Sequence, residues 1–203
     1  MMAKFGKILL AAGVSTRMGA ENKLLLPYRD VPIILHMVNT YRAATNNKVC
    51  VITGYEAAQF ESVLEDTDAV TVFSAKHKNG QQSSVTLGLQ YAKDDDALFI
   101  GLGDQPLVTV ADLHFLTSGH HESGGSKISV PVQGEARRNP IVIPSNLLEK
   151  ILKDPKGRGC KNFTRTHLEH VHHVPTMRPS FFTDVDTPQA YAMLGEPQQE
   201  LLS

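Results

Sequence analysis

The chain has 203 residues, of which 41% are hydrophobic and 20% charged, and its 20 Lys and Arg against 21 Asp and Glu leave a net charge of -1. This near-neutral balance argues against a general nucleic-acid or anionic-membrane binder, since both need an excess of Lys and Arg. Two cysteines, Cys50 and Cys160, are too few for a disulfide scaffold or a CxxC zinc site. No apolar stretch approaches the ~20 residues of a membrane span, so we expect a cytoplasmic globular protein.

Short apolar runs alternate with helical patterns through the first part of the chain. The apolar spacing predicts strands at 8–10, 49–52, 70–73 and 97–100, and helices at 32–44, 57–64 and 83–92. In the last of these helices, Leu87 and Tyr91 are expected to face inward. Because the strand residues are continuously apolar, the pattern favours a parallel sheet covered by helices on both faces, with 97–100 near its centre.

After Gly119 this rhythm changes. A glycine-containing linker at 124–126 precedes further short elements, with strands predicted at 128–132, 140–143 and 171–174 and helices at 146–152 and 160–167. His120 and His121 stand just before the linker and are expected at the surface. We therefore expect one domain over 1–195, with parts at about 1–118 and 119–195, and a polar tail at 196–203.

The segment LAAGVSTRMGAENKLLLP, at 10–27, leads from the first predicted strand into a glycine-bounded loop. Glycines let the backbone approach a ligand and direct N–H groups at an anion, while Arg17 and Lys23 supply positive charge for phosphates. The segment is not an ordinary P-loop, because Gly13 and Gly19 have five residues between them and no lysine follows. The alternative interpretation is a solvated loop between a strand and a helix.

The segment FIGLGDQP, at 99–106, carries Asp104 just after the predicted central strand. Gly101 and Gly103 lack the third glycine of a dinucleotide-binding fingerprint. Open α/β sheets bind ligands at the carboxyl ends of their strands, and Mg²⁺ typically takes one or two carboxylates together with phosphates and water. Asp104 is therefore a candidate Mg²⁺ ligand, or else the cap of a helix after Pro106.

The segment FTDVDTP, at 182–188, offers a second carboxylate. Asp186 is a candidate partner for Asp104 in a two-carboxylate metal site. The alternative is a capping motif, in which Thr187 caps a helix that begins at Pro188.

In this order and at these separations, LAAGVSTRMGAENKLLLP, GDQP and DVDTP resemble the MobA-like nucleotidyltransferases, most closely the molybdenum cofactor cytidylyltransferases. The resemblance covers most of the chain. It implies a three-layer αβα, Rossmann-like fold with a mostly parallel central sheet. It also implies Mg²⁺-dependent transfer of NMP from an NTP to a phosphorylated acceptor, with the nucleotide bound by the part at 1–118 and the acceptor by 119–195.

The resemblance also implies roles for individual residues. Arg17, Lys23 and Asp104 match catalytic positions, and Asp104 and Asp186 match metal ligands. Ala12 stands where guanylyl-transferring relatives usually carry glycine, which favours cytosine. The positions that match nucleotide-binding residues are Leu10, Ala11, Ala12, Gly13, Arg17, Lys23, Ser83, Ser84 and Gly103.

The acceptor side is represented by RRNP at 137–140, which is similar to an Arg-Arg-Gly-Asn-Pro stretch of the family. Arg137, Arg138 or Asn139 would face the acceptor's phosphate or pterin, unless they form a solvated basic turn. The expected reaction is attack by the terminal phosphate of molybdopterin on the α-phosphorus of CTP, with release of pyrophosphate. A phosphate monoester is mostly a dianion at pH 7, so it needs no general base.

Three other functions remain open. They are GMP transfer to the molybdenum cofactor, NMP transfer to a sugar or polyol phosphate, and a non-catalytic role as carrier of finished cofactor to a molybdoenzyme. Neither a nucleic acid nor a membrane is expected as a partner.

Overall fold

The structure, a computed structural model, describes residues 4–18, 21–45, 47–77, 81–91, 94–154 and 159–195. The strands are β1 (Phe5–Ala11), β2 (Pro27–Tyr28), β3 (Val31–Pro32), β4 (Val49–Thr53), β5 (Val70–Phe73), β6 (Ala97–Leu102), β7 (Ile128–Gln133), β8 (Ala136–Arg137), β9 (Ile141–Pro144) and β10 (Val171–Pro175). The helices are α1 (Ile33–Ala44), α2 (Ala57–Leu64), α3 (Gln81–Tyr91), α4 (Val110–Glu122), α5 (Leu148–Lys153), α6 (Cys160–Thr166) and α7 (Pro188–Ala192).

The main sheet has the strand order β10-β7-β9-β6-β1-β4-β5, and β8 pairs with β7. Strands β6, β1, β4 and β5 are mutually parallel, so the sequence segments that follow them leave the same edge of the sheet. Strand β9 runs antiparallel to β6 and β7, whereas β10 is parallel to β7. Strand β6 lies fourth of the seven strands along this path, which confirms its predicted central position.

The two faces of the sheet are covered by separate hydrophobic cores. Leu9 and Ala11 of β1 pack in the core formed with α1, α2 and α4. Ile8 and Leu10 point the other way and pack in the core formed with α3, α5 and α6. This alternation along one buried strand confirms the predicted three-layer α/β fold.

Helix α3 presents a different face to the sheet from the one predicted. Its buried residues are Ser84, Val85, Gly88 and Leu89, whereas Leu87 is only partly buried and Tyr91 is 51% exposed. The reason is the close approach of Gly88 to β1, where an added Cβ would lie 2.7 Å from Cγ2 of Ile8. The inward orientation predicted for Tyr91 was therefore wrong, whereas Leu87, although only partly buried, packs against the core between α3 and the sheet.

The predicted division of the chain near residue 118 falls inside α4. Strand β9, from the second part, pairs with β6 from the first, so strands of both parts join one sheet. The predicted tail, 196–203, lies outside the described residues. No helix in the described part of the chain has both the length and the apolar character that crossing a membrane requires.

His120 is buried rather than exposed, which corrects the surface position expected for it. Its side chain lies against the ring of Phe5, and its Nδ1 atom is 3.0 Å from Oγ of Ser129. Burial, together with the nearby His121 and His172, lowers the pKa of His120 to about 4. The folded protein therefore favours the neutral imidazole.

The burial of His120 predicts a specific dependence of stability on pH. An unfolded histidine titrates near pH 6.5, so between about pH 4 and 6.5 the unfolded chain binds more protons at this residue than the folded one. This residue should therefore add stability as the pH rises through that window, by up to about 3 kcal/mol. His120→Gln, which keeps a polar side chain without the titration, should flatten the curve of unfolding free energy against pH in urea denaturation.

The matched control is His114→Gln, which changes an exposed histidine of the same helix. It should leave the pH dependence of the unfolding free energy as in the wild type. A wild-type slope between pH 4 and 6.5 in His120→Gln would contradict the assignment.

Candidate active site

A cavity of about 370 Å³ opens where β1 and β6 end. It contains most of the predicted site residues, and the side chains around it come from the loop after β1, the start of α3 and the segments after β6 and before α7. The lining residues are Leu10, Ala11, Ala12, Gly13, Val14, Ser15, Arg17, Lys23, Leu24, His77, Gln81, Ser84, Leu102, Asp104 and Asp186. A larger cleft of about 1090 Å³, beside the β2–β3 hairpin, contains none of the predicted residues, so we assign the candidate site to the smaller cavity.

The loop after β1 is shaped by two short 3-10 turns, Thr16–Met18 and Lys23–Leu25. Asn22 caps the second turn, since its Oδ1 atom accepts a hydrogen bond from the backbone N–H of Leu24 at 3.2 Å. Leu24 is buried in the core beneath the loop. The cap and this anchor hold Lys23 between them, so its side chain is directed into the cavity.

Lys23 joins two carboxylates that are distant in sequence. Its Nζ atom lies 2.5 Å from Oδ2 of Asp104 and 2.8 Å from Oδ1 of Asp186. The other oxygen of Asp186, Oδ2, lies 3.0 Å from Nη2 of Arg17. We call Arg17, Lys23, Asp104 and Asp186 the charge cluster. The structure thus brings together the four residues that the sequence predicted for triphosphate and metal, and their formal charges cancel.

Contacts within the charge cluster favour the charged forms of Lys23 and Asp186. Burial alone would lower the pKa of Lys23, but the charge of Asp104 and hydrogen bonds to Asp104 and Asp186 outweigh it, so the pKa is raised. The hydrogen bond from Lys23 and the charges of Lys23 and Arg17 lower the pKa of Asp186. At neutral pH, Lys23 is therefore an ammonium and Asp186 a carboxylate.

The alternative interpretation of the two acidic motifs, helix capping by Asp104 and by Thr187, can be compared with the structure. Thr109 caps α4, with Asp112 completing the capping box, so capping by Asp104 is wrong for this helix. Thr187 does cap α7, since its Oγ1 atom accepts a hydrogen bond from the N–H of Ala190 at 3.1 Å. Capping by Thr187 places the residue before it, Asp186, at the mouth of the cavity.

Gln105 and Asp184 connect the two acidic motifs and were not assigned from the sequence. The buried Gln105 donates from Nε2 to Oδ1 of Asp184 at 2.8 Å and to the carbonyl oxygen of Phe181 at 3.3 Å. The backbone N–H of Val185 donates to the carbonyl oxygen of Asp104 at 2.9 Å. A signal for Asp184 was present, because residues two apart in an extended segment share a side and Asp184 precedes Asp186 by two.

Asp184 adds a third acidic group near the charge cluster. Burial raises its pKa, and the charges of Asp104 and Asp186 raise it further, whereas the hydrogen bond from Gln105 and the charge of Arg138 oppose this. Among the described residues, no three His, Cys, Asp or Glu are grouped so that they could hold a metal ion by themselves.

The carboxylates of Asp104 and Asp186 nevertheless fit a hard divalent cation. The Oδ1 atom of Asp104 is buried and lacks a hydrogen-bond partner, so it has a lone pair available for a cation. Two carboxylates are also the usual protein contribution to a Mg²⁺ site, in which phosphates and water supply the remaining oxygens. Asp104 and Asp186 are therefore the residues that could hold Mg²⁺.

The opposite wall of the cavity carries further polar side chains. The buried Ser84 directs its Oγ atom at Oγ of Ser74, 3.5 Å away, and Nδ1 of His77 lies 3.0 Å from the carbonyl oxygen of Ser74. Gly54 allows this packing, because a Cβ there would lie 2.7 Å from Cβ of His77 and 2.9 Å from Cβ of Ala12. His77 and Gln81 line this wall although no role was assigned to them from the sequence.

Two predicted nucleotide-binding residues do not line the cavity. The hydroxyl of Ser83 donates to the carbonyl oxygen of Lys76 at 2.8 Å. The N–H of Gly103 donates to the carbonyl oxygen of Leu10 at 3.0 Å, and an added Cβ would lie 3.1 Å from Cδ1 of Leu24. In the structure, Gly103 joins the GDQP segment to β1.

The three predicted acceptor residues also lie outside this cavity. Arg137 donates from Nη1 to the carbonyl oxygen of Thr164 at 2.8 Å, and Asn139 precedes the cis peptide bond of Pro140. The guanidinium of Arg138 lies 5.6 Å from the ring centroid of Phe182, and its charge acts on Asp184. Of the three, Arg138 is therefore the one whose charge influences an acidic group near the charge cluster.

A mostly parallel α/β sheet with cations and paired carboxylates at the carboxyl ends of its strands is the arrangement of a nucleotide-binding transferase domain. The chain matches the MobA-like NTP transferase domain family over residues 7–173. It belongs to this family.

Two curated relatives share about a third of their aligned residues with the chain. A 2-C-methyl-D-erythritol 4-phosphate cytidylyltransferase from Bacillus cytotoxicus is 32% identical over 138 residues, which are 64% of this chain and 60% of that protein. A bifunctional protein GlmU from Hydrogenovibrio crunogenus is 31% identical over 118 residues, which are 56% of this chain and 26% of that protein. The chain therefore covers less than two thirds of either relative, and neither is named as a molybdenum cofactor enzyme.

Solved structures share the fold over nearly the whole chain. A nucleotidyl transferase from Methanothermobacter thermautotroptrophicus has a TM-score of 0.79 at 22% identity, covering 94% of this chain and 95% of its own. Rv0371c from Mycobacterium tuberculosis, in complex with manganese, has a TM-score of 0.70 at 21% identity, covering 94% and 97%. A CMP:2-keto-3-deoxy-manno-octonic acid synthetase complexed with CTP has a TM-score of 0.70 at 13% identity, covering 95% and 97%. At these identities, the similarity concerns the fold alone.

The hydrogen bonds from the Gln105 amide to Asp184 and Phe181, called here the Gln105 bridge, should stabilise the fold, so we expect a loss of stability when the amide is removed. Gln105→Leu leaves Asp184 and the carbonyl oxygen of Phe181 without this donor in a partly buried place, at a cost of roughly 1–3 kcal/mol. The free energy of unfolding in urea measures this effect. Gln81→Leu, the same change at an exposed position, should stay within about 0.5 kcal/mol of the wild type. Equal stability of the two variants would contradict the role of the bridge.

Proposed function

We propose that the chain transfers an NMP group from an NTP to a phosphorylated small molecule and releases pyrophosphate. The charge cluster carries this proposal, because two cations and two carboxylates converge on one cavity at the carboxyl ends of β1 and β6. Cations bind phosphate oxygens, and carboxylates bind the divalent cation that accompanies a triphosphate. Membership of the MobA-like family supports the same reaction.

The residues of the charge cluster take separate tasks in this reaction. Arg17 and Lys23 bind the triphosphate and stabilise negative charge on the departing pyrophosphate. Asp104 and Asp186 would hold Mg²⁺, which supplies positive charge to the phosphate oxygens when it is bound.

The chemical step needs no proton acceptor from the protein. An oxygen of the acceptor's phosphate forms a bond to the α-phosphorus of the NTP, while the bond from that phosphorus to the bridging oxygen breaks. The acceptor's phosphate is already mostly a dianion at pH 7, so the protein's task is to orient two polyanions in line. This agrees with the cavity lining in the described part of the chain, where the ionisable side chains are those of the charge cluster and His77.

We propose CTP as the nucleotide. Ala12 supports this choice, because guanylyl-transferring relatives usually carry glycine at this position. The methyl group of Ala12 forms part of the cavity wall and lies next to Gly54. Curated relatives from Bacillus are named as cytidylyltransferases, which supports the same choice.

We propose molybdopterin as the acceptor, with its terminal phosphate as the attacking group. The order and spacing of the three motifs support it, and Arg138, whose charge acts on Asp184, offers positive charge for the acceptor's phosphate. The second candidate is a polyol phosphate such as 2-C-methyl-D-erythritol 4-phosphate, which the relative from Bacillus cytotoxicus favours.

The nucleotide and acceptor can be tested together by measuring pyrophosphate release. CTP and GTP would each be supplied with molybdopterin, with 2-C-methyl-D-erythritol 4-phosphate, or with no acceptor, in the presence of Mg²⁺. We expect the fastest release from CTP with molybdopterin. Faster release from GTP would overturn the cytosine assignment, and faster release with the polyol phosphate would replace the acceptor. Tight binding of finished cofactor with no release in any mixture would indicate a carrier that delivers it to a molybdoenzyme.

The metal role of Asp104 predicts a large loss of turnover on neutralisation. Asp104→Asn keeps the shape of the side chain but removes its charge, and should lower kcat/KM at least ~100-fold at saturating Mg²⁺. Asp66→Asn, on the exposed turn after α2, should leave pyrophosphate release unchanged. Full turnover by Asp104→Asn at saturating Mg²⁺ would contradict the metal assignment, and thermal unfolding of both variants would check that they fold.

A further inference from the structure

The ammonium of Lys23 lies between the two carboxylates assigned to the metal. Its contacts of 2.5 Å to Asp104 and 2.8 Å to Asp186 are those of a cation that both carboxylates share. The side chain of Lys23 is only 12% exposed, so neighbouring atoms and not solvent restrict its position. In this arrangement the protein itself supplies the positive charge that the two carboxylates require.

In the absence of a nucleotide, the charge cluster would attract a metal ion only weakly. The formal charges of the charge cluster cancel, because Arg17 also pairs with Asp186 at 3.0 Å. Two carboxylates, moreover, leave most of the coordination sphere of Mg²⁺ or Mn²⁺ to other ligands, and no group of three ligating side chains occurs in the described ranges.

A triphosphate would change both the charge balance of the charge cluster and the number of ligands available to the metal ion. Its oxygens offer Lys23 and Arg17 an alternative set of acceptors, and they are also ligands for the metal. Once the two cations turn to the phosphates, Asp104 and Asp186 are left with uncompensated negative charge, which a divalent cation can neutralise. The Oδ1 atom of Asp104, buried and without a hydrogen-bond partner, would then bind it.

We propose that Lys23 acts as an internal counter-ion that blocks the metal site until a nucleoside triphosphate draws it away. The proposal rests on the proposed function for the identity of the ligand. Metal and nucleotide then bind cooperatively, and linkage requires that each raises the affinity of the other by the same factor. The site is thereby protected from holding a metal ion without its substrate.

The test measures Mn²⁺ affinity directly, from the electron paramagnetic resonance signal of free Mn²⁺, on the full chain without nucleotide. Lys23→Met keeps the length of the side chain but removes the ammonium, and should bind Mn²⁺ at least about tenfold more tightly than the wild type. Addition of CTP without acceptor should raise Mn²⁺ affinity of the wild type at least about tenfold, and that of Lys23→Met by a smaller factor.

Three further variants make the comparison specific. Lys23→Arg keeps the positive charge and should keep the weak Mn²⁺ binding of the wild type. Lys23→Gln should behave as Lys23→Met, and it replaces that variant if Lys23→Met fails to unfold cooperatively. The matched control is Lys4→Met, which removes a lysine paired with Asp95 at 3.1 Å just before β1, at the opposite edge of the sheet. This control should leave Mn²⁺ affinity unchanged.

The proposal is overturned if Lys23→Met and Lys23→Gln bind Mn²⁺ no more tightly than the wild type. It is also overturned if CTP leaves the Mn²⁺ affinity of the wild type unchanged while CTP itself binds. Failure of the proposed function would look different, since wild-type protein would then release no pyrophosphate in any mixture although the lysine variants still bound Mn²⁺ more tightly. Normal pyrophosphate release with unchanged Mn²⁺ affinity in the variants would reject the counter-ion and leave the transferase proposal standing.

Discussion

The contact of one lysine with two aspartates organises the candidate site. Asp104 and Asp186 are 81 and 163 residues from Lys23 in the sequence, yet both carboxylates lie against the same ammonium. Two like charges at this distance would repel each other without a cation between them. Lys23 compensates this repulsion at the edge of the sheet where the three segments meet. The local charge balance is thus a property of the free site as well as a condition of ligand binding.

The sheet supplies the geometry that this contact needs. Strands β1 and β6 are parallel neighbours, so the loop with Lys23 and the loop with Asp104 leave the same edge. The segment before α7 is then attached to the loop after β6 by a backbone hydrogen bond from Val185 and by the amide of Gln105. None of these attachments uses a side chain of the charge cluster, so its four side chains could exchange partners without breaking them.

The central parallel strands and the edge of the sheet that carries the site could be predicted from the sequence, for a physical reason. Buried parallel strands are apolar on both faces, so parts of β1, β4 and β6, at 8–10, 49–52 and 97–100, are unbroken hydrophobic runs. Charged residues just after such parallel strands are expected at one edge of the sheet. The inward face of α3 could not be predicted in the same way, because Gly88 contributes no hydrophobicity. Its role depends on its close contact with Ile8 of β1, which the sequence does not show. Gln105 was missed because an amide carries no signal of its own until its partners are known.

The overall charge of -1 argues against a general nucleic-acid or anionic-membrane binder, but it does not exclude a small polyanion bound at one site. Phosphate binding requires positive charge within a few ångströms of the ligand, whereas the net charge of the chain describes an average over the whole surface. In the free protein even the local charge is balanced, since Arg17 and Lys23 are paired with carboxylates. On the proposed function, affinity for a triphosphate would depend on an exchange of partners, in which the phosphates take the two cations and Asp104 and Asp186 would hold a divalent cation instead. A nucleotide that arrives without a divalent cation would leave Asp104 and Asp186 unpaired, which makes the metal complex the better ligand for this site.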